Sequence, residues 1–250
     1  MVVTKHFLAE KLGLDFEIAG FFADRKVPAD NLYWHKRFLY LTFGTGYLFI
    51  PVIIDALYKA GVHKATLINE ERTARMETAL HIVARHETKQ LGFEEYINQI
   101  SAVFQPHVVH QDLFDDLLLY FNGGKPTTYK LGTVVPALNR ADAFLFTFTD
   151  LPVDKSTLQT LIAIWYHVAV TVLMLDDLVD LDDDRNKGEE NAILELGDNQ
   201  LAVAQAATMI NSDLEGLETI NPTAESFFRK VLENALNDPQ IKRLTEQAEN

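Results

Sequence analysis

Aspartates crowd one short segment of the chain, where six of the nine positions from Asp176 to Asp184 are aspartate. If this segment is helical, Asp180, Asp183 and Asp184 lie within about 80° of Asp176, so four carboxylates share one stripe. Like charges at this spacing repel, and the C-terminal end of a helix is itself partly negative. A hard divalent cation such as Mg²⁺ removes this conflict, because it prefers carboxylate oxygens and takes phosphate oxygens as further ligands. The alternative is a solvated acidic helix end without a ligand.

An uncharged segment precedes these aspartates. The 20 residues from Ser156 to Leu175 carry no formal charge. The side of this helix that continues into the aspartate stripe holds four apolar residues, namely Trp165, Ala169, Val172 and Leu173. A wall of apolar side chains that ends in carboxylates suits a ligand with a hydrocarbon tail and a diphosphate head.

Two uncharged stretches raise the question of a membrane span. The stretch from Phe38 to Ile54 contains two glycines and a proline, and the most apolar part of the other, 161–175, is only about 22 Å long as a helix. A hydrocarbon core is about 30 Å thick, so we interpret both as buried helices and predict no transmembrane segment. The first ten residues lack the pattern of a signal peptide, which favours a cytoplasmic location.

Composition narrows the class of protein further. The 250 residues carry a formal charge of −14, which disfavours binding to nucleic acid, and the absence of cysteine excludes thiolate metal sites and disulfides. Helix-start and helix-stop residues dominate the sequence, so we predict a single all-α domain over residues 1–250 with about nine or ten helices. The run 130–148 is ambiguous, because its Thr-Val-Val and Phe-Thr-Phe-Thr patterns also fit a strand.

The sequence Asp176-Asp177-Leu-Val-Asp180 after a buried helix resembles the aspartate-rich motif of class I isoprenoid synthases, which include trans-prenyltransferases and terpene cyclases. The following Arg185-Asn-Lys187-Gly188 is similar to the loop after the second such motif of prenyltransferases, and Tyr129-Lys130-Leu-Gly-Thr133 is similar to their Lys-Thr pair. The resemblance covers about residues 125–195.

This resemblance implies a terpenoid-synthase-like helical bundle and Mg²⁺-dependent ionisation of an isoprenyl diphosphate, by a transferase or a lyase. The implied catalytic residues are Asp176, Asp177 and Asp180, and the implied metal ligands are Asp176, Asp180 and Asp184. The implied diphosphate-binding residues are Lys130, Arg185 and Lys187, and the pocket would be lined by Trp165, Ala169, Val172 and Leu173.

The family's second metal cluster is not evident in the sequence. Asp55 stands alone, Asp112-Leu-Phe-Asp115-Asp116 lies too close to Asp176, and Asn211-Ser-Asp213-Leu-Glu215 has the wrong spacing. A fold relative that binds an apolar or phosphorylated ligand without turnover is therefore the alternative, and a homodimer stays open.

A different class of protein, a di-iron or haem-oxygenase-like helical oxidase, is suggested by several histidines and carboxylates. They are Glu70, Glu71, Glu77, His81, His86, Glu87, His107, His110, Asp112, Asp115 and Asp116. Di-iron bundles use Glu-x-x-His, and that spacing is absent here, so an ordinary polar helix face is favoured for these residues.

Overall fold

The computed structural model describes residues 4–26, 28–34 and 49–246, and within these ranges every regular element is helical. The α-helices are α1 (Lys5–Lys11), α2 (Phe16–Ala23), α3 (Phe49–Lys59), α4 (Lys64–Leu67), α5 (Glu70–Glu87), α6 (Phe93–Phe104), α7 (Gln111–Phe121), α8 (Lys155–Val179), α9 (Leu181–Lys187), α10 (Ala192–Glu195), α11 (Gln200–Glu218), α12 (Pro222–Leu236) and α13 (Pro239–Glu246). Three 3₁₀ segments are Leu32–Trp34, Gln105–His107 and Pro136–Phe148. The predicted all-α class is confirmed.

Side-chain caps explain where several helices begin. Asn69 caps α5, Asp154 caps α8, Asn199 caps α11 and Asn221 caps α12, each through a side-chain oxygen that accepts a backbone N–H of the first turn. Each cap satisfies an N–H group that has no partner within the helix. The Asn and Asp residues at these positions are typical helix-start residues. A cap of this kind is readable from the sequence, because it involves residues only three positions apart.

The described ranges hold thirteen α-helices, more than the nine or ten predicted, in part because α4 and α10 have only four residues each and carry no periodic signal. The run 130–148 forms no strand, and its second half is the 3₁₀ segment Pro136–Phe148. Nine residues of that segment are buried, so packing and not local preference determines its conformation.

Helix α8 lies at the centre of the described fold and packs against α3, α11, α12, α10 and the 3₁₀ segment Pro136–Phe148. It is the one helix of the described ranges that is long and apolar enough to cross a membrane, and 67% of its most apolar window is buried by the rest of the fold. Burial of this kind is typical of a core helix.

The other uncharged stretch runs from Phe38 to Ile54, and its residues 38–48 lie outside the described residues. Its last part belongs to α3, where Ile50, Val52, Ile53 and Ile54 are buried. The predicted burial holds for these four side chains, and their partner is chiefly α8.

Candidate metal and phosphate site

The aspartate segment does not form one unbroken helix. α8 ends at Val179, Asp180 is a bend, and α9 begins at Leu181. The backbone N–H of Asp180 nevertheless donates to the Asp176 carbonyl, and that of Asp184 donates to the Asp180 carbonyl, both at 2.9 Å. The i to i+4 spacing therefore survives the bend, and Asp176, Asp180 and Asp184 stay on successive turns.

Asp177 is the buried member of the segment, with 2% of its surface exposed. Its Oδ1 accepts a hydrogen bond from Arg140 Nη2 at 2.6 Å, and its Oδ2 accepts from the Ala192 backbone N–H at 2.7 Å. Burial raises the pKa of this carboxyl, and the Arg140 guanidinium opposes the shift. Asp177 thus joins α8 to the 3₁₀ segment Pro136–Phe148 and to α10, and protein donors occupy both of its oxygens.

The remaining aspartates of the stripe lie at the surface. Asp176 and Asp184 are half-buried, whereas Asp180 and Asp183 are exposed. Desolvation raises the pKa of Asp180, and the negative charges of Asp184 and Asp183 raise it further. This end of α8 thus holds carboxylates close enough to repel one another.

Each predicted diphosphate-binding cation has a different environment. Arg185 donates to Asp198 Oδ2 at 2.9 Å and to Asp182, while Lys187 Nζ lies 3.6 Å from Asp183. Lys130 is exposed on the loop 122–135. That loop bonds to α8 at Tyr166, ten residues and about 15 Å before Asp176. Of the three predicted cations, Arg185 and Lys187 lie on α9 beside Asp182, Asp183 and Asp184.

The four predicted pocket residues belong largely to the packed core. Trp165 is fully buried, its ring stacks on Phe144 with 5.1 Å between centroids, and its indole Nε1 donates to Asp142 at 3.2 Å. Ala169 and Val172 are also buried, and Leu173 is half-buried against the core. In the described structure this side of α8 is covered by protein side chains.

The carboxylates considered for a second metal cluster have separate partners. Asp55 is fully buried and pairs with Lys59 at 2.8 Å, Asp116 accepts three backbone N–H groups of the loop 122–135, and Asp213 bonds to His167 at 3.0 Å. His167, nine residues before Asp176, places Asp213 about 13 Å along α8 from the aspartate stripe. Among the described residues, no three Asp, Glu or His side chains converge as ligands of one metal ion do.

The residues of the oxidase alternative are likewise dispersed. Glu77 pairs with Arg25 at 2.5 Å, and His81 Nδ1 accepts the Leu32 N–H at 2.9 Å. His86 bonds to the Leu91 carbonyl at 3.0 Å, so its ring also serves the local structure. These contacts are structural, but Glu77 is only 3% exposed, so this part of α5 is a buried ion pair and not the ordinary polar face that the sequence favoured.

Asp142 is a second feature with unusual electrostatics, and the sequence analysis did not find it. It is 1% exposed, and its carboxylate accepts hydrogen bonds from Tyr120 Oη at 2.8 Å and from Tyr166 Oη and Trp165 Nε1 at 3.2 Å each. All three donors are neutral. Burial therefore raises its pKa to about 6, although the three hydrogen bonds act in the opposite direction. The sequence signal that could have identified Asp142 is its position as the one charged residue in the largely apolar run 141–148.

Comparisons with protein-family models, with curated proteins and with solved structures give no match for this chain.

Proposed function

We propose that the protein is an isoprenoid-synthase-like protein that binds Mg²⁺ at Asp176, Asp180 and Asp184, whose side chains would converge when the ion binds, and that binds the diphosphate of an isoprenyl ligand through the metal. The observation that carries the proposal is the crowding of Asp180, Asp183 and Asp184 at the end of an apolar core helix. Desolvation raises the pKa of Asp180, the negative charges of Asp184 and Asp183 raise it further, and a divalent cation would relieve this repulsion.

Bound Mg²⁺ would stabilise negative charge on the diphosphate leaving group. Arg185 and Lys187 lie on the adjacent helix α9 and supply further positive charge, after exchange of their present carboxylate partners. Asp177 would act as a positioning residue, since its bonds to Arg140 and to the Ala192 N–H hold this end of α8 against the 3₁₀ segment Pro136–Phe148 and α10. Lys130 would reach the diphosphate only with movement of its loop.

Binding without turnover is the second candidate function, and a specific observation favours it. Trp165 in the predicted hydrocarbon wall stacks on Phe144, and Ala169 and Val172 are buried, so within the described residues a prenyl tail at these side chains would have to displace protein. A phosphorylated ligand held only by its head group needs no such displacement.

Thermal unfolding with Mg²⁺ and pyrophosphate, together and separately, tests the metal site. At a hundredfold excess over the dissociation constant, binding stabilises by about 2.7 kcal/mol, which is roughly 5–10 °C in Tm for a chain of this size. The doubly substituted Asp176→Asn/Asp180→Asn protein should lose this shift. Asp182→Asn is the control, because it removes one carboxylate of the same segment that lies off the stripe, and it should keep the shift.

Product analysis after incubation with C10, C15 and C20 prenyl diphosphates separates the two candidates. A hydrocarbon, alcohol or elongated product that requires Mg²⁺ and the intact aspartates supports the enzyme. A Tm shift without product supports binding alone. Equal shifts in the wild type and in the doubly substituted protein reject the site.

A further inference from the structure

The loop between α7 and the 3₁₀ segment Pro136–Phe148 is fixed at three places, the last of which is the Thr133 N–H, which donates to Asn139 Oδ1 at 2.7 Å. At the first, the Asp116 carboxylate accepts the backbone N–H groups of Thr127, Thr128 and Tyr129 at 2.7–2.8 Å. At the second, the Gly132 N–H donates to Tyr166 Oη at 2.6 Å. We name residues 130–134 the strap, because they run between Tyr129 and the 3₁₀ segment.

The strap lies over the phenol groups that bind Asp142. A Cβ placed on Gly132 would come within 3.0 Å of Tyr120 Oη, so the backbone of the strap lies directly against this ring. Gly132 also has φ +79°, a conformation that favours glycine. Tyr120 and Tyr166 are only half-buried, whereas Asp142 behind them is 1% exposed. The strap and the two rings therefore stand between Asp142 and water.

One chain of hydrogen bonds joins the strap to the buried carboxyl. The Gly132 N–H donates to Tyr166 Oη, and Tyr166 Oη donates to Asp142 Oδ2, which also accepts from Tyr120 Oη. The polar groups that face Asp142 from the neighbouring elements are neutral. They are Tyr120 on α7, Trp165 and Tyr166 on α8, and Tyr96 on α6. On its own segment, Arg140 turns to Asp177.

We propose that the strap is a proton-dependent cover, which is closed over Asp142 while this carboxyl is protonated and detaches when the carboxyl is ionised. An ionised carboxylate among neutral groups is poorly solvated, and detachment of the strap lets water reach it past the two phenol rings. Proton binding and strap closure are therefore linked: the closed state binds the proton more tightly than the open state. The proposal does not depend on metal binding at the aspartate stripe.

Amide hydrogen exchange of Gly132, measured by NMR from pH 5 to pH 8 and corrected for the intrinsic rate, tests the proposal. If the open strap restores an ordinary pKa to Asp142, the protection factor of Gly132 should fall about tenfold over this range. The Thr128 amide is the internal control, because it bonds to Asp116, whose pKa is lowered by its hydrogen bonds. Its protection should stay constant.

Two variants identify the titrating group. Asp142→Asn should remove the pH dependence at Gly132. Tyr120→Phe deletes one donor to the carboxylate, so the fall in protection should move to higher pH, and this variant covers the case in which Asp142→Asn does not fold. The proposal is overturned if Gly132 protection changes less than twofold in the wild type, or if it falls in parallel with Thr128. An unaltered pH profile in Tyr120→Phe also overturns it.

Discussion

Removal of the Arg140 guanidinium should destabilise the fold far more than removal of a surface arginine. Arg140→Met leaves the Asp177 carboxylate, 2% exposed, without its charge partner. Loss of one member of a buried pair costs about 3–5 kcal/mol, and we expect the lower end because the Arg140 side chain is 25% exposed. For about 250 residues, a loss of about 3 kcal/mol corresponds to a decrease in Tm of roughly 6–12 °C.

Urea unfolding of Arg140→Met, Asp177→Asn and the double variant measures this interaction as a double-mutant cycle. Asp177→Asn should lower the free energy of unfolding less than Arg140→Met does. The amide oxygen of the new Asn side chain still accepts the Ala192 N–H, and Arg140 retains partial access to water. The double variant should cost less than the sum of the single variants. The loss in Arg140→Met should also shrink as pH falls, since protonation removes the buried charge of Asp177.

Arg185→Met is the matched control for this cycle. Arg185 pairs with two carboxylates, Asp182 and Asp198, but all three side chains are at least one-third exposed. Such pairs contribute less than about 1 kcal/mol. If Arg140→Met is no more destabilising than Arg185→Met, the assignment of Asp177 as a positioning residue is refuted.

Two further predictions concern stability. The pKa of Asp142 in the folded state, about 6, exceeds its ordinary value, so its contribution to stability is full at low pH and is lost as pH rises through 6. The free energy of unfolding of Asp142→Asn relative to that of the wild type should therefore rise by up to about 3 kcal/mol between pH 4 and pH 8 in urea titrations. A difference that does not change with pH would contradict this. Gly13→Ala should destabilise by more than 1 kcal/mol in the same assay, because Gly13 has φ +63° and its new Cβ would lie 2.6 Å from the Thr223 Cβ. Gly61→Ala, also at positive φ but with open space around it, is the control, and an equal loss would exclude a steric effect at Gly13.

The sequence by itself determined the helical class and the starts of several long helices. Asn69, Asn199 and Asn221 cap helices through bonds to residues three positions later, so the information is local. The aspartate spacing also survives in the fold, because i to i+4 hydrogen bonds continue through the bend at Asp180. Whether Mg²⁺ binds there stays a prediction.

Tertiary structure alone decided which carboxylates are buried and what they contact. Helix phase separates Asp177 from Asp176, but only the packing of the 3₁₀ segment Pro136–Phe148 on α8 brings Arg140, 37 positions away in sequence, to the Asp177 carboxylate. Likewise, Asp142 meets Tyr120 and Tyr166 only because α7 and α8 pack on the same segment. A hydrogen bond between distant residues depends on the packing of whole helices, which spacing along the chain does not encode.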